Sequence, residues 1–403
     1  MNVIQRARKY SELKANISAF LTEKKDEDYA ILTHYLQNSN FYYNLFVNSP
    51  IAKYLDNTYP DNLGLKWDVP FPPPKNKKFT FIDLFCGIGG FRIAMQNVGG
   101  HCLFSSDIDP HVKVVYENNF GDLPFGDINK INKDIIPPHD ILVAGFPCQP
   151  FSISGLKKGF EDTRGTLIYQ VFKIIELRLP KIVFLENVKH LIHHDKGRTL
   201  SIIIKNLEKL GYKVSHKLLN AKDFGVPQNR ERIIIIGHKD KYFDFNKIKI
   251  KKNTVLKDFL EINGNFEYVD QNDYTLIKNP VQQESGLIFV GYRNKKIRKA
   301  GVREGTEHLS RVHKQPNRIY SSEGTHPTLP SQESAGRFFV LHDGIVRKLT
   351  INECYRIMGF PDKFIKSNIQ SEQYKQIGNS VCIPMIQNTT VELLNQLIEN
   401  ENE

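Results

Sequence analysis

The chain has 403 residues, 40% hydrophobic and 25% charged, with a formal net charge of +11. That length and balance predict a soluble globular protein of two or three structural units, and the basic surplus favours a polyanionic partner. Apolar runs such as Ile233–Ile236 are far too short to span a bilayer, and the charges among residues 1–20 leave no secretory leader, so a cytoplasmic protein without a membrane partner is expected.

Along the chain, residues 1–69 carry helical spacing, as in Tyr29, Leu32, Tyr35 and Leu36. Phe71–Pro74 followed by Lys75, Asn76, Lys77 and Lys78 reads as a stiff basic linker and sets a first boundary, with a helical N-terminal extension over 1–74. Strand-like segments then appear at Phe79–Phe85, His101–Ser106, Ile141–Phe146, Lys181–Leu185 and Arg232–Gly237. Between them lie helical stretches at Phe91–Val98, Pro110–Asn118, Thr166–Leu179 and Thr199–Leu210. This alternation predicts an α/β, doubly wound, Rossmann-like and mainly parallel sheet over 75–238. Ligands of such sheets bind at the carboxyl ends of the strands. Residues 239–346 lose the alternation and are rich in Asn, Lys and Arg; regular pattern returns over 347–403.

The chemistry-bearing residues fall at those strand ends. Asp83-Leu84-Phe85-Cys86-Gly87-Ile88-Gly89-Gly90-Phe91 runs from a strand through glycines into a helix, which suits close approach of backbone to a ligand. Asp107 ends the next strand, where it can accept from ribose hydroxyls, and Gly126-Asp127-Ile128 offers a carboxylate to an adenine amino group. These features fit any adenosine-bearing cofactor, a dinucleotide included. Gly145-Phe146-Pro147-Cys148-Gln149-Pro150-Phe151-Ser152 places a cysteine at the ligand-binding edge, where proline fixes the backbone. The five cysteines (Cys86, Cys102, Cys148, Cys354 and Cys382) contain no CxxC pair, so neither a disulfide framework nor a zinc site is expected. Glu186-Asn187-Val188 puts a carboxyl at another strand end, and burial there would raise its pKa. Gln228-Asn229-Arg230-Glu231-Arg232 carries two arginines at i and i+2, suited to an anion or a base oxygen; the alternative is a surface ion-pair ladder with Glu231. Gly378-Asn379-Ser380-Val381 reads by itself as a polar turn.

In this order, these segments resemble the DNA cytosine-5 methyltransferase family of restriction–modification type, over roughly 79–237 and 347–381. The resemblance implies transfer of a methyl group from S-adenosyl-L-methionine, released as S-adenosyl-L-homocysteine, to carbon 5 of a flipped cytosine within a short double-stranded DNA sequence. It implies Cys148 as the nucleophile that adds to carbon 6, Glu186 on the N3 edge, Arg232 on O2, and Arg230 ordering the catalytic loop region. For the cofactor it implies Phe85, Gly87, Gly89, Asp107, Ile108, Asp127, Ile128, Pro147, Leu167, Asn379 and Val381. Ile108 stands where many relatives carry a tryptophan over adenine, so a weaker contact is expected there.

Residues 239–346 occupy the place of the family's smaller target-recognition domain, and Arg293, Lys295, Lys296, Arg298 and Arg303 form a basic cluster within it. With Gln149, Ser152 and Arg164 of the loop after Cys148, these are the expected DNA contacts. The N-terminal extension shows no helix-turn-helix signature and is expected to buttress the catalytic domain. A monomer is expected, with a cognate restriction endonuclease acting independently. Transfer-RNA methyltransferases of the same fold carry a Cys-Phe-Thr signature that is absent here. Amino-group methyltransferases carry Pro-Pro-aromatic in place of Pro147-Cys148-Gln149, and a nicotinamide enzyme would leave the Pro147-Cys148 block unexplained.

Overall fold

The computed structural model describes residues 9–12, 15, 26–38, 41, 42, 67–147, 167–251, 254–294 and 305–397. Within them, strands β1 (Phe79–Leu84), β2 (Gly100–Ser106), β3 (Ile141–Gly145), β4 (Ile182–Val188), β5 (Lys213–Asn220) and β7 (Glu231–His238) form a six-stranded sheet ordered β2-β1-β3-β4-β7-β5. The first four run parallel, as the alternation predicts. β7 runs the other way, antiparallel to both β4 and β5. β5 therefore runs in the same direction as β4, so five of the six strands share one direction and the sheet is mainly parallel, as expected.

Period-two alternation explains why this sheet is central. Phe81, Val143, Phe184 and Ile234 enter one apolar core, while Ile82, Leu142, Val183 and Ile235 enter another on the opposite face. The first core is closed by helices α2 (Gly90–Gln96), α3 (Pro110–Phe120) and α8 (Ile383–Leu397). The second is closed by α4 (Leu167–Arg178), α5 (Arg198–Lys209) and α1 (Asp26–Asn38) of the N-terminal segment. Helix α3 starts where Asp109 accepts from the N–H of His111 and Pro110 occupies the first turn, and it stops at Gly121 with φ 94°.

The N-terminal segment is fastened by polar groups as well as apolar ones. The Tyr10 hydroxyl donates to Gly121 O (2.9 Å), and Gln37 Nε2 donates to Phe120 O (2.8 Å), filling carbonyls that the end of α3 leaves open. Gln37 Oε1 accepts from Arg92 Nη2 (2.7 Å), and Arg92 pairs with the buried Asp122 (2.8 Å). The Pro-rich stretch is docked: Phe71 is buried against Phe120 and Phe364, and its N–H donates to Asn119 O.

Beyond β7, strands β8 (Tyr274–Leu276), β9 (Phe289–Arg293), β10 (Arg318–Ser321), β12 (Phe339–His342) and β13 (Ile345–Lys348) form a second sheet ordered β13-β12-β10-β9-β8. It surrounds a small core of Val290, Ile319, Phe339 and Val346. The two-residue strands β6 (Gln228–Asn229) and β11 (His326–Pro327) pair in parallel and tie this region to the segment that leads into β7. The chain then returns through α6 (Ile351–Arg356), which opens with a Thr350/Glu353 capping box, and α7 (Gln370–Asn379) before α8.

Candidate active site

The carboxyl ends of β1, β3 and β4 open into a cleft of ≈ 520 Å³, within the usual range for a small-molecule site. After β1 the backbone turns through left-handed conformations at Phe85 (φ 54°), Gly87 (φ 52°) and Gly89 (φ 85°) before α2 begins. Gly89 is required by crowding as well, since a Cβ there would lie 2.2 Å from the Phe120 ring. Asp107, just past β2, is oriented by two backbone donors: Gly87 N–H to Oδ2 and Asp109 N–H to Oδ1, both 2.9 Å. Burial raises its pKa against those hydrogen bonds.

Across the cleft, Glu186 at the end of β4 is buried and its Oε1 meets Arg232 Nε at 3.0 Å. Burial raises the Glu186 pKa, and the opposing charges of Arg232 and Arg230 do not cancel that effect. Asn187 Nδ2 donates to Phe146 O (2.8 Å), locking the end of β4 to the segment that leads through Pro147. Arg230 turns to the other end of the chain, its Nη2 donating to Gly378 O (2.9 Å) and Ser380 O (2.6 Å). The arginines therefore do different work. The ladder alternative fails because the Glu231 carboxylate pairs with Lys189 (2.8 Å), leaving Arg232 to Glu186. The turn at 378–381 packs closely on α2: a Cβ on Gly90 would come 2.8 Å from Val381 Cγ2.

A model of the C-5 cytosine-specific DNA methylase family matches residues 79–395. The chain belongs to that family. The methyltransferase is 40% identical to Type II methyltransferase M.HhaI of Haemophilus parahaemolyticus, covering 78% of this chain and 94% of that protein. It is 45% identical to Type II methyltransferase M.HpaII of Haemophilus parainfluenzae, over 81% and 92%. Its activity is DNA cytosine-5 methylation, and its kinship is with restriction–modification enzymes. Among solved structures, a putative DNA modification methyltransferase encoded within a prophage (E. coli) superposes with TM-score 0.58 at 21% identity, over 80% of this chain and 100% of that one. The Entamoeba histolytica methyltransferase EhMeth does so with TM-score 0.58 at 19%, over 80% and 100%. Those two likenesses speak for the fold.

Of the residues singled out in the sequence, the cleft of the methyltransferase brings together Phe85, Gly87, Asp107, Pro147, Glu186, Arg230, Arg232 and Asn379. Gly89 and Val381 stand behind its wall in the turn and its packing partner. Ile108 is 71% exposed, whereas Ile128 is 3% exposed and belongs to the second core. Asp127 Oδ1 accepts from Asn129 N–H and Nδ2, and Leu167 begins α4, half-buried against the second core. Cys148, Gln149, Ser152, Arg164, Lys295, Lys296, Arg298 and Arg303 lie outside the described residues. Arg293 ends β9 with its guanidinium 4.2 Å above the Phe339 ring.

A second cleft of ≈ 380 Å³ separates the ends of β4 and β7 from the second sheet, and Lys189, His190, Arg232, Arg318, Tyr320 and Arg337 line it. Sequence reading missed Lys189, His190 and Arg337 as members of a basic surface. Lys189 and His190 lie about 150 residues from Arg337 in the chain, and only the fold collects them. Helices give no sign of membrane insertion: among the described residues none is long and apolar enough to cross one.

Proposed function

We propose that the enzyme methylates carbon 5 of a cytosine flipped from double-stranded DNA, with S-adenosyl-L-methionine as methyl donor and Cys148 as covalent nucleophile. The observation that carries this reading is the buried Glu186–Arg232 pair in the same cleft as Pro147, the residue before Cys148. The cofactor fits the other side of that cleft. Asp107 has its carboxylate fixed by Gly87 and Asp109 N–H groups and keeps lone pairs for ribose hydroxyls, and a Cβ on Gly87 would meet nothing within 4 Å. Phe85, Gly87, Asp107 and Asn379 would hold it from the cleft wall, with Gly89 and Val381 shaping the turn and Ile108, Asp127, Ile128 and Leu167 beyond it. When bound, S-adenosyl-L-methionine supplies the electrophilic methyl that carbon 5 takes up, leaving S-adenosyl-L-homocysteine.

The protein's own task is to make carbon 5 nucleophilic. The Cys148 thiolate adds to carbon 6, and the ring electrons move towards N3. Glu186, whose pKa burial raises, shares a proton with N3 as charge builds on the ring, while Arg232 steadies O2. After methylation, loss of the carbon 5 proton re-forms the ring double bond and expels Cys148. The other cysteines in the described part are buried thiols: burial pushes Cys382 up to about 11 and Cys102 up to about 12, far from nucleophilic thiolates. Flipping the base costs a few kcal/mol. Contacts between phosphates and the basic second cleft, with Arg293 and the rest of the 295–303 cluster, offset it. In this reading residues 1–74 buttress the catalytic domain of 75–238 and 347–403, residues 239–346 choose the DNA sequence, and a monomer acts independently of any cognate endonuclease.

Trapping tests the covalent step. Fluorine at carbon 5 cannot leave as a cation, so duplex DNA with 5-fluorocytosine at the target should stall as an adduct. A denaturation-resistant protein–DNA complex that needs S-adenosyl-L-methionine and disappears in Cys148→Ser is expected. Folded wild-type protein that methylates ordinary DNA yet traps none would contradict the adduct.

A further inference from the structure

Gln376 belongs to none of the steps above. It sits in α7 on the wall of the cofactor cleft, only 3% exposed, and neither its Oε1 nor its Nε2 has a hydrogen-bond partner among the described residues. Two orphaned atoms on one buried amide are uncommon, because desolvating both without replacement is unfavourable. Its neighbour Lys375 is committed elsewhere, to Asp109 at 2.6 Å and Glu372 at 3.3 Å. Arg230 is likewise committed to Gly378 O and Ser380 O.

We propose that Gln376 binds the amino-acid end of the methyl donor, its Nε2–H donating to the α-carboxylate and its Oε1 accepting from the α-ammonium. The inference rests on the cofactor reading above and names a residue that reading leaves out. The chemistry selects this end of the molecule. A carboxamide offers one donor group and one acceptor side by side, and an α-amino acid offers the complementary carboxylate and ammonium on a single carbon. A phosphate would satisfy only Nε2 and leave Oε1 orphaned. The adenine edge also pairs a donor with an acceptor, but Asp127, the residue expected to read it, is not on the wall that carries Gln376. The amino-acid chain is carried by the sulfur whose methyl must reach the target base. It therefore runs from the cofactor residues towards Glu186 within this one cleft, which Gln376 lines together with Gly378, Asn379 and Glu186.

Calorimetric titration of the full-length protein with two ligands separates the ends. S-adenosyl-L-homocysteine carries the amino-acid chain; 5′-methylthioadenosine has the same nucleoside thioether without it. In Gln376→Leu, affinity for S-adenosyl-L-homocysteine should fall about tenfold or more, the loss expected for a hydrogen bond to a charged group. Affinity for 5′-methylthioadenosine should stay unchanged within about twofold, and the unliganded variant should unfold at the same temperature or higher, since the orphans are gone. Gln376→Glu, which replaces the donor by a second carboxylate, should lose S-adenosyl-L-homocysteine at least as severely and provides a second variant if Leu perturbs folding. Equal weakening of both ligands, or of neither, would overturn the assignment. Wild-type protein that binds neither ligand would instead refute the cofactor reading itself, and the inference with it.

Discussion

Glu186 shows how a strand end places a buried carboxyl in a cleft. The residues before it in β4 are uninterruptedly apolar and bury the strand on both faces, so the carboxyl emerges into the cleft with little water around it. Arg232 on the neighbouring strand keeps it paired, and the net effect of burial still raises its pKa. A carboxyl with a raised pKa is protonated at low pH and loses that proton as pH rises through the native value. The turnover rate should therefore fall on the alkaline side, and this limb should be absent in Glu186→Gln, which should be slower by about 10²-fold or more. Rates over a pH series with saturating DNA and cofactor check both points; an unchanged alkaline limb in the variant would assign the titration to another group. At this scale the sequence was informative where a motif clustered its residues, as with Asp107, Glu186 and Arg232. It was silent on Gln376, an amide on a polar helix with nothing local to mark it. The two partners of Arg230 were equally hidden, being backbone carbonyls about 150 residues further along.

Elements differ in legibility for physical reasons. β1, β3, β4 and β7 are buried on both faces and read as apolar runs, and the glycines and prolines between them mark the turns. β5 lies at the sheet edge, only one of its residues fully buried and Lys213, His216 and Lys217 exposed, so its composition resembles a loop. β7 is as apolar as the parallel strands beside it, so nothing in its composition marks its reversed direction. The second sheet is built from strands of three to five residues around four fully buried side chains, too short to show a period. The N-terminal segment makes a specific demand at this scale. Gln37 satisfies Phe120 O and Arg92 together, so Gln37→Leu leaves a carbonyl and a guanidinium N–H unpaired inside the protein. A loss of about 1–3 kcal/mol in urea unfolding is expected. Stability unchanged within about 0.5 kcal/mol, the usual size of surface effects, would mean that the segment merely rests on the domain.

The whole molecule is built on two sheets joined by a short parallel pairing, and the proposed function divides chemistry and recognition between them. The six-stranded sheet carries one cleft at the carboxyl ends of its strands, and the second sheet faces it across another lined by Lys189, Arg318 and Arg337. The C-terminal segment closes the arrangement by returning α7 and α8 to the first sheet, where Arg230 anchors the turn between them. A net charge of +11 gives the assembly long-range attraction for DNA. The central claim is cytosine-5 methylation through Cys148, and bisulfite sequencing tests it most directly. DNA would be taken from a methylation-free host expressing the wild-type protein or Cys148→Ser. Protected cytosines at one position of one short motif with the wild type, and none with the variant, are the predicted result. Equal protection in both would contradict the role of Cys148, and no protection by folded wild-type protein would contradict the activity.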